Sequence, residues 1–162
     1  MVRWLAKPGR GGVRRSVFSG RFFHTIDPKG RLSIPAKYRD ELDDRGTKTL
    51  VLTEGDHCIV AYPMDEWERF EERLRQQPQF SPEMRNFVRI IVGSAKECPV
   101  DKAGRTLVPP ELREFAGLQK DVVISGAVKS FEIWNRERWT DHYQRMRGSY
   151  DESARRASDL GL

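Results

Sequence analysis

The chain has 162 residues, a hydrophobic fraction of 38% and a formal net charge of +5. This length suits one ordinary domain or two small modules with a shared core, and no apolar stretch approaches the roughly 18 residues of a membrane helix. Residues 1–16 contain five bases and no acid, so residues 17–162 hold 29 − 5 = 24 bases against 24 acids. The body of the protein is therefore neutral, which excludes an argument for nucleic-acid binding from net charge alone.

The N-terminus lacks the apolar centre of a signal peptide, and we expect a soluble cytoplasmic protein. Cys58 and Cys98 form no CxxC pair, so the sequence indicates neither a zinc site nor a disulfide. We expect both cysteines to be small buried side chains. His24, His57 and His142 show no metal-ligand spacing, and no cofactor or metal is predicted.

The first predicted module covers residues 17–77. Its β-forming segments flank a turn and predict a hairpin, and Pro35 is suited to the first turn of a short helix. Two strands and an amphipathic helix follow. The elements in chain order are a hairpin at 22–26 and 31–34, a helix at 35–42, strands near 49–53 and 58–62, and a helix with Trp67, Phe70 and Leu74 on its apolar face.

A connecting helix is predicted in residues 78–93. Ser81 is a suitable N-cap, Pro82 suits the first helical position, and Gly93 ends the run. The apolar side chains recur at helical spacing, at Met84, Phe87, Val88 and Ile91. We expect this helix to pack on both modules.

The second module, residues 94–147, repeats the first. Four of nine positions from Asp27 to Pro35 recur at an offset of 74 between Asp101 and Pro109. Trp139 matches Trp67 at an offset of 72, and we expect both side chains in the core. A duplication with one slightly shorter loop accounts for both offsets. Residues 148–162 form a polar tail that we expect to be loosely ordered or docked on a neighbouring molecule.

The motif Asp-x-x-Gly-Arg occurs at residues 27–31 and again at 101–105. The aspartate can close a tight turn, and the glycine can adopt a positive φ. The arginine has no part in forming the turn, but its planar fork can bind a guanine or a phosphate, and a turn lysine can contact a phosphate. The candidate DNA-binding residues are Asp27, Lys29, Gly30, Arg31, Asp101, Lys102, Gly104 and Arg105.

Other functions remain open on these residues. A single Asp-Pro-Lys-Gly turn is common in solvated loops, and the neutral body favours a ring-forming structural or protein-interaction module that does not bind DNA. An enzyme would need a pocket and a second polar cluster, and carboxylates that close turns are poor general bases, so no catalytic residues are predicted. RNA binding would need exposed aromatic pairs for stacking, which the sequence lacks.

The segment from Phe18 to Pro35, the second motif and the Tyr62-Pro63 to Trp67 stretch resemble the MraZ family of bacterial regulators over residues 17–147. The resemblance implies an α+β fold, mostly β, with two tandem AbrB-like swapped-hairpin modules in one pseudo-symmetric, β-barrel-like domain flanked by amphipathic helices. It also implies a cyclic homo-oligomer, associated with the nucleoid, that regulates the division and cell-wall gene cluster. Binding to direct repeats in double-stranded promoter DNA would use Asp27, Arg31, Asp101 and Arg105.

The sequence departs from the family pattern before Val17, where sixteen further residues precede the family start. We expect these residues to be a disordered basic extension. Our hypothesis is that Val17 is the native initiator, translated from a GTG codon. A native chain that begins at Met1 would contradict it and make the segment a candidate arm for DNA phosphates.

Overall fold

A computed structural model describes residues 17–162, and the interpretation of residues 1–16 lies outside this range. Eight strands and six helices occur in the described part, so the α+β class is confirmed. In chain order they are β1 (Arg21–Thr25), β2 (Arg31–Ser33), α1 (Ala36–Asp44), β3 (Thr49–Glu54), β4 (Ile59–Pro63), α2 (Met64–Arg75), α3 (Pro82–Ile91), β5 (Lys96–Pro99), β6 (Arg105–Leu107), α4 (Pro110–Ala116), β7 (Asp121–Gly126), β8 (Phe131–Asn135), α5 (Arg136–Gly148) and α6 (Tyr150–Asp159).

The strands form a six-stranded sheet in the order β1-β7-β8-β4-β3-β5 and a separate two-stranded ribbon of β2 and β6. Neighbouring strands are antiparallel in both. The counterpart strands in the two modules are β1 and β5, β2 and β6, β3 and β7, and β4 and β8. Exchanging them in the six-stranded sheet gives the same order read from the opposite edge. Within residues 17–162, β1 and β5 are the edges of the sheet and do not pair with each other, so a closed barrel is not observed.

The strand register shows that the two modules are related by a pseudo-two-fold axis. Leu32 pairs with Thr106 in the ribbon, at the repeat offset of 74. Val60 pairs with Glu132 where the two halves of the sheet meet, at the offset of 72. Because each pair joins a residue to its own counterpart, the axis passes through both pairs. The duplication inferred from sequence is thus built into the hydrogen-bonding pattern.

The predicted local hairpin is wrong in its strand pairing. β1 pairs with β7 and β2 pairs with β6, so both strands find their main partners in the other module. The two arms meet directly in an isolated bridge between Ile26 and Leu32 and in a contact of 2.7 Å between His24 Nδ1 and the Ser33 carbonyl. The β-forming pattern fixes which residues are extended, but it does not fix the partner strand when the chain contains two copies of every strand.

The main core lies between the sheet and the ribbon, where both modules contribute side chains. Its largest fully buried members are Tyr38, Phe18, Phe131, Leu32, Ile34, Leu50, Leu52, Ile59, Ile124 and Ile133. Trp67 and Trp139 are buried as predicted. Cys58 and Cys98 are also buried and are not joined in a disulfide. Burial raises the pKa of the Cys98 thiol to about 11.

Helix α3 differs from the prediction. Ser81 caps it as predicted, its Oγ accepting from the Met84 N–H at 3.2 Å, but no residue of the helix is buried. Phe87 and Ile90 are 43% and 53% exposed. The helix contacts β3 and, through the Phe70–Phe87 ring pair at 6.4 Å between centroids, α2. Both belong to the first module, and packing on the second module stays a prediction. The apolar face of α3 is left open.

The C-terminal segment is also more regular than expected. Residues Tyr150–Asp159 form α6, where we expected loose order or docking on a neighbour. The helix has Asp151 and Glu152 in its first turn and Arg156 in its last, which suits the helix dipole. Apart from α6, none of the described helices was missed by the sequence pattern, and none has the length and apolar character needed to cross a bilayer.

Candidate nucleic-acid interface

The first Asp-x-x-Gly-Arg turn is closed by Asp27 as predicted. Its Oδ1 accepts the backbone N–H of Lys29 and of Arg31, each at 2.9 Å. The Gly30 N–H donates to the Asp27 carbonyl at 2.9 Å, and Gly30 has a φ of +89°. A residue with a Cβ would be strained in this conformation. The aspartate and the glycine therefore have structural roles in the turn.

Arg31 is held by the same aspartate. Its Nε donates to Asp27 Oδ2 at 2.6 Å, and its side chain remains 41% exposed. The backbone hydrogen bond from Arg31 is the largest cause of a lowered pKa of Asp27, and the guanidinium lowers the pKa further. The result is an ionised carboxylate that orients an exposed guanidinium.

The second turn has the same backbone and a looser arginine. The Arg105 N–H donates to Asp101 Oδ1 at 2.9 Å and the Gly104 N–H to the Asp101 carbonyl at 2.9 Å. Gly104 has a φ of +77°. The Arg105 Nε is 3.8 Å from Asp101 Oδ2, beyond hydrogen-bond distance, and the side chain is 39% exposed. Neither arginine is buried.

The ribbon places both arginines on one face. In its register Arg31 is opposite Leu107 and Arg105 is opposite Ser33. Paired residues and residues two apart project to the same side of a β-ribbon, so these four share a face and the two arginines form a diagonal pair, about 7–8 Å apart at their Cα atoms. The alternate residues Leu32 and Thr106 are buried in the core. The arginine face is therefore the outer face.

Each turn is fixed by the opposite module. The Ile34 N–H donates to the Gly104 carbonyl at 2.9 Å, and the Val108 N–H donates to the Gly30 carbonyl at 2.8 Å. These two bonds are equivalent under the repeat offset. They place the two turns at opposite ends of the β2–β6 ribbon.

Two arginines missed by the sequence prediction lie against the turns. A Cβ at Gly104 would be 2.5 Å from Arg39 Nη1, and a Cβ at Gly30 would be 2.8 Å from Arg113 Nε. Each arginine belongs to the helix of the other module. A signal was present in the sequence, since both follow the repeated proline by four positions and differ by the offset of 74.

The two lysines are exposed, but they are not equivalent. Lys29 is the third residue of its turn and Lys102 the second of its own, and their counterparts in the repeat are Ala103 and Pro28. The lysines thus differ in position, while the arginines do not. Leu107 is a further exposed residue of the outer face, at 58%, that the prediction omitted.

Features of other kinds of site are limited in the described part. Residues 17–162 contain no group of three His, Cys, Asp or Glu side chains placed to hold a metal ion. A groove of about 300 Å³ beside the second turn has three bases and three acids among its lining residues, Arg39, Asp40, Asp43, Lys48, Asp101 and Lys102. His142 packs on Trp134 at 5.0 Å between ring centroids, in keeping with a packing role.

A family model described as "MraZ protein, putative antitoxin-like" matches residues 17–90 and again residues 91–160. The chain belongs to the MraZ family. It is 46% identical over 147 residues to a protein of Heliobacterium modesticaldum named "Transcriptional regulator MraZ", covering 90% of this chain and all of that protein. Proteins of the same name from Syntrophobacter fumaroxidans and Desulfitobacterium hafniense strain Y51 are 42% and 43% identical, covering 91% and 90% of this chain and 99% and 100% of theirs.

The two MraZ repeats correspond to the two structural modules, and each repeat also includes one further helix, α3 in the first and α6 in the second. The first repeat extends through α3 almost to its end, and the second includes all of α6. Each repeat of this MraZ chain therefore has two strands, a helix, two strands and two helices. Helix α6 is the counterpart of α3, which accounts for the regular structure of the C-terminal segment.

Proposed function

We propose that this protein is a sequence-specific, double-stranded DNA-binding transcriptional regulator, in line with the names of its relatives. The observation that carries the proposal is the placement of Arg31 and Arg105 on one exposed face of the β2–β6 ribbon. The major groove of B-DNA admits a two-stranded β-ribbon, and arginine binds guanine O6 and N7 there in a bidentate manner. Two arginines at a fixed separation would contact two bases in one groove.

The remaining turn residues support this role. Asp27 and Asp101 would orient the arginines, Gly30 and Gly104 would permit the turn conformation, and Lys29 and Lys102 would contact phosphates. In the same proposal, β1 and β2 and their counterparts are AbrB-like swapped hairpins, since each finds its partner in the other module. The modules would be residues 17–77 and 94–147, joined by 78–93.

A single ribbon with two arginines neutralises few phosphates, so one protomer would bind DNA weakly. We infer that several protomers form a cyclic ring in which successive ribbons contact promoter direct repeats, with avidity supplying affinity. The exposed apolar side chains of α3, among them Met84, Phe87 and Ile90, offer a surface for contacts between copies. The targets would be promoters of the division and cell-wall gene cluster, including its own, in the cytoplasmic nucleoid.

A second function is a ring-forming structural or protein-interaction module without DNA binding. The neutral net charge of residues 17–162 favours it, because the net charge alone supplies no attraction to DNA. This alternative leaves Arg31 and Arg105 without a common role. It would be supported if the protein bound DNA neither at its own upstream region nor elsewhere at low salt.

A DNase I footprint on the region upstream of the protein's own coding sequence tests the proposal. We expect protection of a repeated sequence that contains guanines, and loss of protection in Arg31→Ala and Arg105→Ala at unchanged thermal stability. Arg75→Ala, an exposed arginine of α2, is the matched control and should protect like the parent. Parental protection by both turn variants would rule out the site.

A further inference from the structure

We propose that Arg39 and Arg113 are DNA-backbone contacts, so that each DNA-binding turn combines an arginine of its own module with one from the opposite module. This rests on the proposed DNA-binding function and adds two residues to it. Arg113, from helix α4, lies against the turn that contains Gly30, and Arg39, from helix α1, lies against the turn that contains Gly104. Their role would be to bind phosphate, while Arg31 and Arg105 bind bases.

The first argument is the absence of an acidic partner. Both side chains are half-buried, and neither is within ion-pair distance of a carboxylate in residues 17–162. The Arg39 Nε is buried and has no hydrogen-bond partner in the described structure. Asp43, one helical turn along α1, lines the same groove as Arg39 but does not pair with it.

Another arginine of the same chain shows how a structural charge is compensated here. Arg45, at the end of α1, is only 7% exposed and pairs with Glu41, Asp65 and Glu66 at 2.9, 2.9 and 3.4 Å. A cation withdrawn from water requires such partners. Arg39, on the same helix, has none, which is the state expected of a group whose anion is supplied by a ligand.

The position of the two arginines fits phosphate better than base contact. They lie at the two ends of the ribbon, beside Gly30 and Gly104, whereas Arg31 and Arg105 occupy its outer face. If the outer face of the ribbon reads base edges, arginines that lie beside this face rather than on it are placed for the phosphate oxygens that flank the groove. The Arg113 Nε donates to the Val108 carbonyl at 3.1 Å, which anchors the stem and leaves the terminal nitrogens for the ligand.

The pseudo-two-fold symmetry of the modules indicates that Arg39 and Arg113 have the same function. Arg39 and Arg113 occupy equivalent positions, and each covers the buried glycine of the other module's turn. Each of the two turns would therefore contribute one equivalent phosphate contact. The folded pair of modules, rather than either module alone, would complete both sites.

The test is a gel-shift titration of the full-length protein, at several salt concentrations, on a duplex from its own upstream region. Arg39→Met and Arg113→Met keep the apolar stem and remove the charge, and Arg39→Lys and Arg113→Lys keep the charge. Arg75→Met is the control, Arg31→Met and Arg105→Met test the proposed function itself, and thermal unfolding checks the fold of each variant.

We expect each methionine variant of Arg39 and Arg113 to weaken binding about tenfold and to lower the salt slope by about 0.9 for each phosphate that the variant no longer neutralises. The lysine variants should retain most of the affinity, because a phosphate accepts from either cation. The weakening should be equal on the upstream duplex and on a scrambled duplex, since a phosphate contact carries no sequence information.

Each other outcome has a distinct meaning. Parental binding by Arg39→Met and Arg113→Met, with loss of binding by Arg31→Met and Arg105→Met, overturns this inference and leaves the proposed function standing. Parental binding by all of these variants refutes both. Weakened binding with an unchanged salt slope and no recovery in the lysine variants also overturns the inference, because the residues would then only position the turns.

Discussion

The Nε of Arg31 lies 2.6 Å from Oδ2 of Asp27, whereas the equivalent atoms of Arg105 and Asp101 are 3.8 Å apart. The backbone of the two turns is otherwise alike, with the same aspartate Oδ1 accepting the arginine N–H at 2.9 Å in each. The two guanidinium groups are thus equivalent in position but differ in how firmly they are oriented. The first has a hydrogen bond to its aspartate that holds it before a ligand arrives, and the second has only the longer ion pair.

The Asp27 carboxylate should contribute to stability in a pH-dependent way. Its pKa is lowered in the folded state from 3.8, so the contribution is present above that value and is lost as the pH falls through the folded pKa. We expect Asp27→Asn to lower the melting temperature at pH 7, and the difference from the parent to vanish in strong acid. Thermal unfolding at pH 7 and in steps below pH 4 measures this. Asp159→Asn, at the exposed end of α6, is the control; a difference that grows in acid would contradict the assignment.

Alanine at the turn glycines should destabilise the protein for two separable reasons. Gly30, Gly104 and Gly46 all have positive φ, but a Cβ at Gly46 meets nothing within 4 Å. Gly46→Ala therefore measures the conformational cost alone, about 1–2 kcal/mol. Gly30→Ala and Gly104→Ala should cost more, because the new methyl displaces Arg113 or Arg39. Urea unfolding of the three variants decides; equal losses would mean that the arginines move aside freely.

The Arg45 network should be a major contributor to the attachment of α2. Arg45→Met leaves Glu41, Asp65 and Glu66 without their buried cation, and we expect a loss of about 3–5 kcal/mol. The control is Arg69→Met, because Arg69 pairs with Asp65 and Glu66 but is 63% exposed. Exposed pairs contribute about 0–1 kcal/mol. Chemical denaturation measures both; similar small losses would show that the network is not coupled to folding.

A charge on the open face of α3 should disrupt the proposed ring. Phe87 is 43% exposed in the single chain, and Phe87→Glu would place a carboxylate in an apolar contact between copies. We expect the parent to be a closed oligomer by size-exclusion chromatography with light scattering and the variant to be smaller, with weaker binding to repeated DNA sites. Asn86→Glu, also exposed on α3, is the control. A monomeric parent would refute the ring, and a variant of parental mass would exclude this face as its interface.

The sequence predicted the duplication and most of the element types, because both depend on local pattern. The repeated Asp-x-x-Gly-Arg turns form with the expected positive φ at Gly30 and Gly104. The partner of each strand was not predictable from local pattern, since an antiparallel hairpin and its exchanged form bury the same alternating residues. The register that pairs Leu32 with Thr106 reveals the choice only in the folded chain.

Only part of the candidate site was predicted, because local sequence pattern finds residues that are contiguous and does not find those that meet through tertiary packing. The turn residues are contiguous in sequence, and a motif search finds them. Arg39 and Arg113 come from helices and meet the turns only through tertiary packing. In sequence each resembles an ordinary solvated arginine on a short helix. The open face of α3 was misjudged because helical spacing shows that a face is apolar but not which surface covers it.

The strand order has a consequence for synthesis of the chain. Strand β1 leaves the ribosome first, but its partner β7 ends at Gly126, and β2 waits for β6. Until more than a hundred residues have been made, the first half holds extended segments with unpaired backbone groups. For β2, whose partner β6 is its own counterpart in the repeat, the matching strand then available is β2 of another nascent chain, so polysomes that translate one message are where mispaired dimers of first halves would arise.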